Sequence, residues 1–492
     1  MLVLVAVAAL PAGALAGVWR VAEARREPGA EAEMTVPVGD PADPMATAVL
    51  SFRRHPSLVA ERVAAARSRD ESERLAESVS EAVSGVLAGG SGSDGCVRIE
   101  IDGEVLVDLG STSTPVPAST QKLLVAAVAL DLLGPDFRYR TEVRSPPPID
   151  GVVDGDVVLV GGGDPLLTTD DFDDPQRHPA FGTTSLDELA DLVVSAGVTT
   201  IDGAVVGDGS RYDDEFRAPS WGSGITNFDA GPYDALLVDD GYLSDGNHGL
   251  VPARSAAARF VDLLRARGVV VRDGAANQDR PPIDGEVVLA AVESATLVDV
   301  LVEMLHTSDN NTAELVLKEI GLAGAGVGGR EAGLQVVEER LSDWSVLGGG
   351  LVLADGSGLS RVNRLGCQVL TGVLASVPVS AALVDALPVA GRDGTLASRL
   401  LDTPAEGRLR AKTGTLTGVK ALAGEQPDRD GRPAVFAVVL NGEGVDDPSV
   451  HDPVWRAVVE FIDAHPVDVE LDADEFGPRS GTGTAPAPMV LP

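Results

Sequence analysis

The sequence predicts an α+β domain that is interrupted by an inserted α/β domain. Near its start, the β-forming runs Cys96–Ile101 and Val105–Leu109 flank Asp102-Gly103, a strong signal for an antiparallel hairpin. Similar strand patterns return near the end of the chain, after several helical stretches. The middle of the chain instead contains two units in which a helix, a glycine and a strand follow one another, as in α/β modules. We therefore expect the two ends of the chain to form one domain around a different, inserted one.

Helix and strand signals alternate in the first part of the chain. Ser72 to Leu87 has apolar residues at the spacing of an amphipathic helix. After the hairpin, Ala118 to Leu133 is apolar and ends at Gly134-Pro135, so it predicts a second helix. A strand is expected at Tyr139–Val143. The run Ser145 to Pro148, which is rich in proline, then indicates a boundary.

Two similar units follow this boundary. Ser185 can cap a helix that ends near Gly197 and leads to a strand at Ile201–Val206. Pro252 can begin a second helix, which leads to a strand at Val269–Val271. We expect these units to form the inserted domain.

The last part of the chain returns to helices and then to three strands, Arg408–Lys412, Val419–Ala423 and Ala434–Leu440. Asp430-Gly431 predicts a turn between the last two of them. Asp452-Pro453 is predicted to begin a final helix, with the aspartate as its N-cap and the proline in its first turn.

These signals divide the chain into six predicted segments. They are residues 1–19, a signal peptide or membrane anchor; 20–69, a linker; 70–144, the first part of the main domain; 145–285, the inserted domain; 286–466, the second part of the main domain; and 467–492, a disordered tail.

The composition excludes some partners. Of 492 residues, 75 are acidic and 38 basic, which gives a net charge of −37. Such a chain lacks the clustered cations that nucleic acids and anionic membrane surfaces attract, so we expect neither as a partner. A hydrophobic content of 44% nevertheless predicts a folded protein. Lysine occurs only at four positions, Lys122, Lys318, Lys412 and Lys420, so the place of each is informative.

The N-terminus favours export from the cytoplasm. Met1 to Trp19 contains no charged side chain, and such a run is long enough to span a bilayer. Ala14-Leu15-Ala16 is also similar to a signal-peptide cleavage site, so a cleaved signal and a retained anchor are both open. In an exported protein the two cysteines, Cys96 and Cys367, could form a disulfide. The alternative is two buried free thiols.

Three short motifs carry the chemistry: Ser119-Thr120-Gln121-Lys122, Ser308-Asp309-Asn310 and Lys412-Thr413-Gly414. Each is common by chance, but together and in this order they form the signature of penicillin-binding proteins and serine β-lactamases. A serine hydroxyl needs a nearby base to become a nucleophile. Residues three apart share a helix face, so Lys122 can reach Ser119. Burial and the charge of Lys412 would lower the pKa of Lys122 toward that of a base.

The other motif residues have predicted roles in proton transfer and binding. Ser308 could pass a proton from Lys122 to the leaving amine, and Asn310 could hold the substrate backbone. Lys412 and Thr413 could bind a substrate carboxylate, while Gly414 would leave room for the substrate at the strand edge. The backbone N–H groups of Ser119 and Thr415 would form an oxyanion hole. Lys318 and Lys420 are expected to have no catalytic role.

The sequence resembles the class C low-molecular-mass penicillin-binding proteins, which are D-alanyl-D-alanine carboxypeptidases, some of them also endopeptidases. The resemblance runs from about residue 70 to 465 and rests on six segments: Pro117–Leu123, Gly161–Pro165, Ser308–Glu314, Asp355–Arg361, Gly391–Leu396 and Ala411–Leu416. It implies a β-lactamase/transpeptidase-like domain, with an antiparallel sheet flanked by helices, and peptidoglycan stem peptides as substrate. It also implies acylation by penicillins and an extracytoplasmic enzyme of the cell envelope.

Two other functions remain open from the sequence. A serine β-lactamase is less favoured, because 189 residues separate Ser119 from Ser308 and no Glu-x-x-Leu-Asn-like element follows. A non-catalytic penicillin- or peptidoglycan-binding sensor is suggested by Glu425-Gln426, which stand where the family commonly has an aromatic residue. None of these functions requires a cofactor, and the six histidines show no HExxH spacing, so no metal site is predicted.

Overall fold

The computed structural model describes residues 73–87, 94–172, 182–222, 229–243, 246–277 and 285–465. All of them lie in one compact unit, Ala60–Pro492. The N-terminal segment 1–19, the linker 20–69 and the tail 467–492 fall outside the described residues. None of the described helices is long and apolar enough to cross a membrane.

Helices and strands of the first part and the middle follow the chain in this order: α1 (73–87), β1 (Asp94–Ile101), β2 (Glu104–Leu109), a 3₁₀ helix (Ala118–Gln121), α2 (Lys122–Leu133), β3 (Arg140–Ser145), β4 (Val152–Val153), β5 (Val157–Val160), β6 (Leu167–Thr168), β7 (Thr184–Ser185), α3 (Leu186–Ser195), β8 (Thr200–Ile201), β9 (Val205–Asp208), a 3₁₀ turn (Asp239–Gly241), α4 (Pro252–Ala266), β10 (Val270–Val271), β11 (Ala275–Asn277) and β12 (Val287–Glu293). The remainder forms α5 (Leu297–Thr307), α6 (Asn310–Ala325), α7 (Arg330–Asp343), α8 (Cys367–Ala375), α9 (Ser380–Asp385), a 3₁₀ turn (Gly394–Leu396), β13 (Arg410–Leu416), β14 (Val419–Pro427), β15 (Pro433–Asn441) and α10 (Pro448–Ala464).

The main sheet joins strands from both ends of the chain. Its order is β13-β14-β15-β1-β2, and every neighbouring pair is antiparallel. Central strand β15 is apolar along its length because both of its faces are buried. Val435, Ala437 and Val439 point to one face, and the alternate residues Phe436 and Val438 point to the other. Strand β13 lies at the edge of this sheet.

Helices cover both faces of the main sheet. Helices α1 and α10 pack on one face, through residues such as Val79 and Trp455. On the other face lie α2, α5, α6, α7 and α8, with α2 so deeply placed that every residue from Lys122 to Leu130 is buried. The fold class is therefore α+β with an antiparallel sheet between helical layers, as the sequence predicts.

The middle of the chain forms smaller sheets of its own. A mixed sheet has the order β11-β9-β5-β3-β12, and a parallel one has the order β10-β8-β4. Strands β3 and β12 pair antiparallel at the point where the chain enters and leaves this region. Since they lie partly or wholly outside 145–285, the sheet of the middle region extends beyond the predicted insert on both sides.

The predicted start of the last helix was wrong. Helix α10 begins at Pro448, where the side chain of Asp447 accepts a hydrogen bond from the Ser449 backbone N–H. Pro453 therefore lies inside the helix, not in its first turn. Both Asp447-Pro448 and Asp452-Pro453 carry the same N-cap signal, and the earlier one is used.

A disulfide joins Cys96 on β1 to Cys367 at the start of α8. The two residues are 271 positions apart in sequence and both are buried. The bond fixes α8 to the central sheet. It joins a residue that precedes the middle region in the chain to one that follows it.

Replacing both cysteines by alanine should lower the free energy of unfolding by about 5 kcal/mol, because the cross-link restricts a very long loop of the unfolded chain. Urea denaturation of the full chain measures this change. Reductant should destabilise the wild type to a similar extent and leave the double variant unaffected. Equal stability of the oxidised wild type and the variant would contradict the prediction.

Candidate active site

Ser119 lies in the short 3₁₀ helix that precedes α2. Its predecessor, Ala118, is completely buried and has a positive φ of 48°, an uncommon conformation for a residue with a side chain. The hydroxyl of Thr120 donates to the Pro117 carbonyl at 2.7 Å and stabilises the turn. Ser119 itself is only partly buried. The turn therefore presents the serine to solvent while its neighbours are packed in the interior.

Lys122 is completely buried directly behind Ser119. Its Nζ lies 3.0 Å from Ser119 Oγ, 2.7 Å from Asn310 Oδ1 and 2.8 Å from the Ser357 carbonyl oxygen. Burial lowers the pKa of the Lys122 ammonium to about 8, although nearby carboxylates, Asp309 first among them, act in the opposite direction. A side chain of this pKa can act as a base near neutral pH.

Glu314 and Asp355 hold the Ser357 carbonyl in place. Glu314 is completely buried on α6, and its Oε1 accepts hydrogen bonds from the backbone N–H groups of Gly356 (3.0 Å) and Ser357 (2.7 Å). Burial and the neighbouring Asp355 raise the pKa of Glu314 to about 7. Asp355 in turn accepts from the Ser360 backbone N–H at 2.6 Å. The loop that orients Lys122 is thus fixed from both ends.

The middle region of the chain braces the same loop. Trp221 donates through its indole N–H to Asp355 Oδ2 at 2.8 Å. Nearby, Lys318 donates to Asp213 at 2.7 Å, and the Arg330 guanidinium donates to both carboxylate oxygens of Glu215. Segment 211–221 therefore connects to the helices of the site through buried or half-buried charged groups.

Ser308 and Asn310 lie at the junction of α5 and α6. Ser308 has a φ of 68°, which ends α5, and Asp309 caps α6 by accepting from the Thr312 backbone N–H. The Asn310 amide donates to the Asp229 carbonyl at 2.6 Å while its oxygen accepts from Lys122. Both ends of this side chain are thus engaged by the protein, so its contacts position Lys122 directly.

Lys412 projects from edge strand β13 and is completely buried. Its Nζ donates to Ser308 Oγ at 2.8 Å and to the Thr413 carbonyl at 3.0 Å. Burial, and secondarily the charge of Lys122, lower the pKa of Lys412 well below its ordinary value. The structure thus groups the three motifs as two serine–lysine pairs, Ser119–Lys122 and Ser308–Lys412.

The threonines of β13 also have hydroxyl or ammonium partners. Thr413 Oγ1 donates to Thr395 Oγ1 at 2.8 Å, and Thr415 Oγ1 accepts from Lys420 Nζ at 2.9 Å. Thr413 is buried, whereas Thr415 is exposed. Thr395 belongs to the segment Gly391–Leu396, which therefore lies beside the site.

Two glycines allow the serine turn to pack against its neighbours. A Cβ at Gly414 would lie 2.9 Å from the Pro117 carbonyl oxygen and 3.1 Å from Ala118 Cβ. At Gly358, which has a φ of 86°, a Cβ would overlap the Ala118 carbonyl oxygen. The absence of a side chain at Gly414 is therefore required by the protein's own packing, which differs from the predicted reason, room for substrate.

The unusual pair Glu425-Gln426 lies away from these contacts. Glu425 pairs across the sheet with Arg410, two positions before Lys412. Gln426 is buried on the α10 side, where its amide donates to the Val459 carbonyl at 3.0 Å. Neither residue contacts the two serine–lysine pairs, so the feature that suggested a non-catalytic sensor does not disturb them.

Sequence reasoning overlooked Lys420, Glu314, Asp355 and Ser357 as parts of this site. The last three belong to segments that the sequence singles out, but only the fold brings them behind Lys122. Lys420 lies opposite Thr415 because the β13–β14 hairpin turns at Thr417-Gly418, and this register could have been read from the turn. No group of three or more His, Cys, Asp or Glu side chains in the described ranges could hold a metal ion.

Comparison with known proteins identifies the family of the chain. Residues 82–246 and 250–463 match the model of the D-Ala-D-Ala carboxypeptidase 3 (S13) family. The chain is 32% identical over 444 residues to the D-alanyl-D-alanine carboxypeptidase of Actinomadura sp. (strain R39), covering 73% of this chain and 79% of that one. It is 34% identical over 348 residues to a carboxypeptidase of Mycobacterium tuberculosis, covering 67% and 72%. The crystal structure of penicillin binding protein 4 from Haemophilus influenzae superposes with a TM-score of 0.68 at 22% identity, covering 78% and 99%.

Replacing Glu314 by alanine should slow the acylation of Ser119 by labelled penicillin about 100-fold, because two buried N–H groups lose their acceptor and Ser357 no longer fixes Lys122. Glu314→Gln keeps a carbonyl oxygen at this place and should lose less than about tenfold. Single-turnover labelling of folded protein measures both rates. Equal losses in the two variants would contradict a positioning role for Glu314.

Proposed function

Because the chain belongs to the D-Ala-D-Ala carboxypeptidase 3 (S13) family, we propose that it removes the terminal D-alanine of peptidoglycan stem peptides through an acyl-enzyme on Ser119. One observation carries the assignment of the residues. Ser119 Oγ lies 3.0 Å from a buried lysine amine, and a second serine–lysine pair completes the group. This arrangement supplies a nucleophile, a base and a route for the proton.

The contacts of Lys122 direct its lone pair toward Ser119. A neutral amine has two N–H bonds and one lone pair. The Asn310 and Ser357 oxygens can accept the two hydrogens, since neither has a proton to give. The lone pair is then left for the Ser119 hydroxyl, the one neighbour that can donate. Asn310 and Ser357 therefore orient the Lys122 amine so that its lone pair can accept the Ser119 proton.

Acylation proceeds by attack of Ser119 Oγ on the carbonyl carbon of the penultimate D-alanine. The hydroxyl proton passes to Lys122, the peptide C–N bond breaks, and D-alanine leaves after its nitrogen receives a proton. Ser308 is the proposed relay for that proton, because its hydroxyl oxygen accepts a hydrogen bond from Lys412 and its own hydrogen is therefore left for another acceptor. Water then hydrolyses the ester, releases the shortened peptide and restores Ser119.

Edge strand β13 is the proposed binding surface for the substrate. The exposed Thr415 hydroxyl is proposed to bind the terminal carboxylate, and the Thr413 hydroxyl would join it by exchanging its bond to Thr395 for one to the substrate. Lys412 Nζ lies behind them, hydrogen-bonded to the Thr413 carbonyl. The backbone N–H groups of Ser119 and Thr415 are proposed to bind the oxyanion. Gly414 packs against Pro117 and Ala118 of the serine turn, which brings β13 close to Ser119.

Penicillins are proposed to acylate Ser119 by the same step, with the β-lactam amide in place of the scissile peptide. The same chemistry would serve an endopeptidase if the leaving amine belongs to a cross-linked peptide.

A peptidoglycan substrate and the Cys96–Cys367 disulfide both support a place of action outside the cytoplasm. The predicted division into a main domain and an insert at 145–285 remains a proposal as well.

Wild-type protein should take up labelled penicillin in a 1:1 complex and release D-alanine from a pentapeptide, whereas Ser119→Ala should do neither, because the nucleophile is lost. Gel fluorescence and an assay for free D-alanine measure the two activities. Ser111→Ala, which removes an exposed serine eight positions before Ser119, should behave as wild type. A wild type that takes no label, or a Ser119→Ala variant that keeps it, would overturn the proposal.

A further inference from the structure

Lys420 is the one lysine of the β13–β14 hairpin that no motif includes, yet its side chain reaches the site. It lies opposite Thr415 in the hairpin and is 5% exposed. Its Nζ donates to Thr415 Oγ1 at 2.9 Å and lies 5.2 Å from the centre of the Trp455 ring. The ammonium is therefore held between an aromatic face and a hydroxyl, with little freedom to turn away.

This contact determines which way the Thr415 hydroxyl can donate. A hydroxyl has one hydrogen and two lone pairs, and an ammonium can only donate. Thr415 Oγ must therefore accept from Lys420, which leaves its own hydrogen for another partner. Since Thr415 is exposed at the sheet edge, that hydrogen is available to a ligand lying along β13. The charge-assisted bond also polarises the hydroxyl and makes it a better donor to an anion.

The charges around Lys420 leave it able to attract an anion. Burial, with the nearby Arg399 guanidinium, lowers the pKa of Lys420 to about 8, while Asp452 and Asp446 act in the opposite direction. The charged form thus still predominates at pH 7. Arg399 adds a second cation near the same end of the hairpin.

We propose that Lys420 is a positioning residue for the substrate carboxylate, holding the Thr415 hydroxyl so that it donates to that anion. The inference rests on the proposed function and adds to it a specificity-determining contact. Lys420 acts through Thr415, so it should affect ligands that carry the carboxylate and not those in which the carboxylate is masked. A residue needed only for packing would affect both kinds of ligand alike.

The test compares the acylation rate constants of benzylpenicillin and its methyl ester. Wild type should react faster with the acid. Lys420→Met should lower the acid-to-ester ratio about tenfold, as expected for one lost charge-assisted hydrogen bond, and Lys420→Arg should restore most of it. Thr415→Val should lower the ratio to a similar extent, and adding it to Lys420→Met should cause little further loss. Arg429→Met, which removes an exposed cation at the β14–β15 turn, should leave the ratio unchanged.

An unchanged ratio in Lys420→Met, or an equal fall of both rates, would overturn the inference. If Lys420→Met folds poorly, Thr415→Val still tests the inference. A Thr415→Val variant that keeps the full preference for the acid would overturn it. These results are distinct from failure of the proposed function, in which the wild type would react with neither penicillin.

Discussion

The rest of the site depends on the burial of one amine. Lys122 has no exposed surface, and the cost of burying its charge lowers its pKa to about 8. A buried amine needs partners for its hydrogens, and the fold supplies them from two distant segments, Asn310 on α6 and the Ser357 carbonyl. Glu314 and Asp355 keep that carbonyl in place through hydrogen bonds to the backbone of the same loop. The chemistry of Ser119 is thus set by a network that lies mainly behind it.

Close packing of backbone on backbone brings the motifs together. The serine turn, the loop at Gly358 and edge strand β13 approach so closely that glycine is required at two contacts. Strand β13 belongs to a sheet in which β14 and β15 follow it in the chain and β1 and β2 come from the other end, and the Cys96–Cys367 disulfide fixes α8 to that sheet. The chain enters the middle region through β3 and leaves it through β12, and these two strands pair side by side. A long middle region can therefore be accommodated without separating the parts of the site.

The motif residues could be predicted from the sequence because the serine-to-lysine spacing on a helix is local, and because hairpin signals such as Asp102-Gly103 are local too. The fold class, confirmed by the structure, followed from these local signals together with the family resemblance that the motifs carry. Glu314 could not be placed, since its contact with Ser357 spans 43 positions and no periodicity encodes it. The start of α10 was misplaced because two Asp-Pro pairs give the same signal five residues apart. Lys420 was overlooked because its role depends on hairpin register, which puts it opposite Thr415.

The most direct test of this account is the pKa of Lys122 in the folded protein. With four lysines in the whole chain, selective ¹⁵N labelling gives four side-chain signals, and Lys122→Arg identifies the one that belongs to the site. Titration by NMR should find a pKa of about 8 for Lys122, so that raising the pH through this value produces the neutral base. A Lys122 that keeps a pKa of 10 or above would contradict the claim that burial turns it into the base for Ser119.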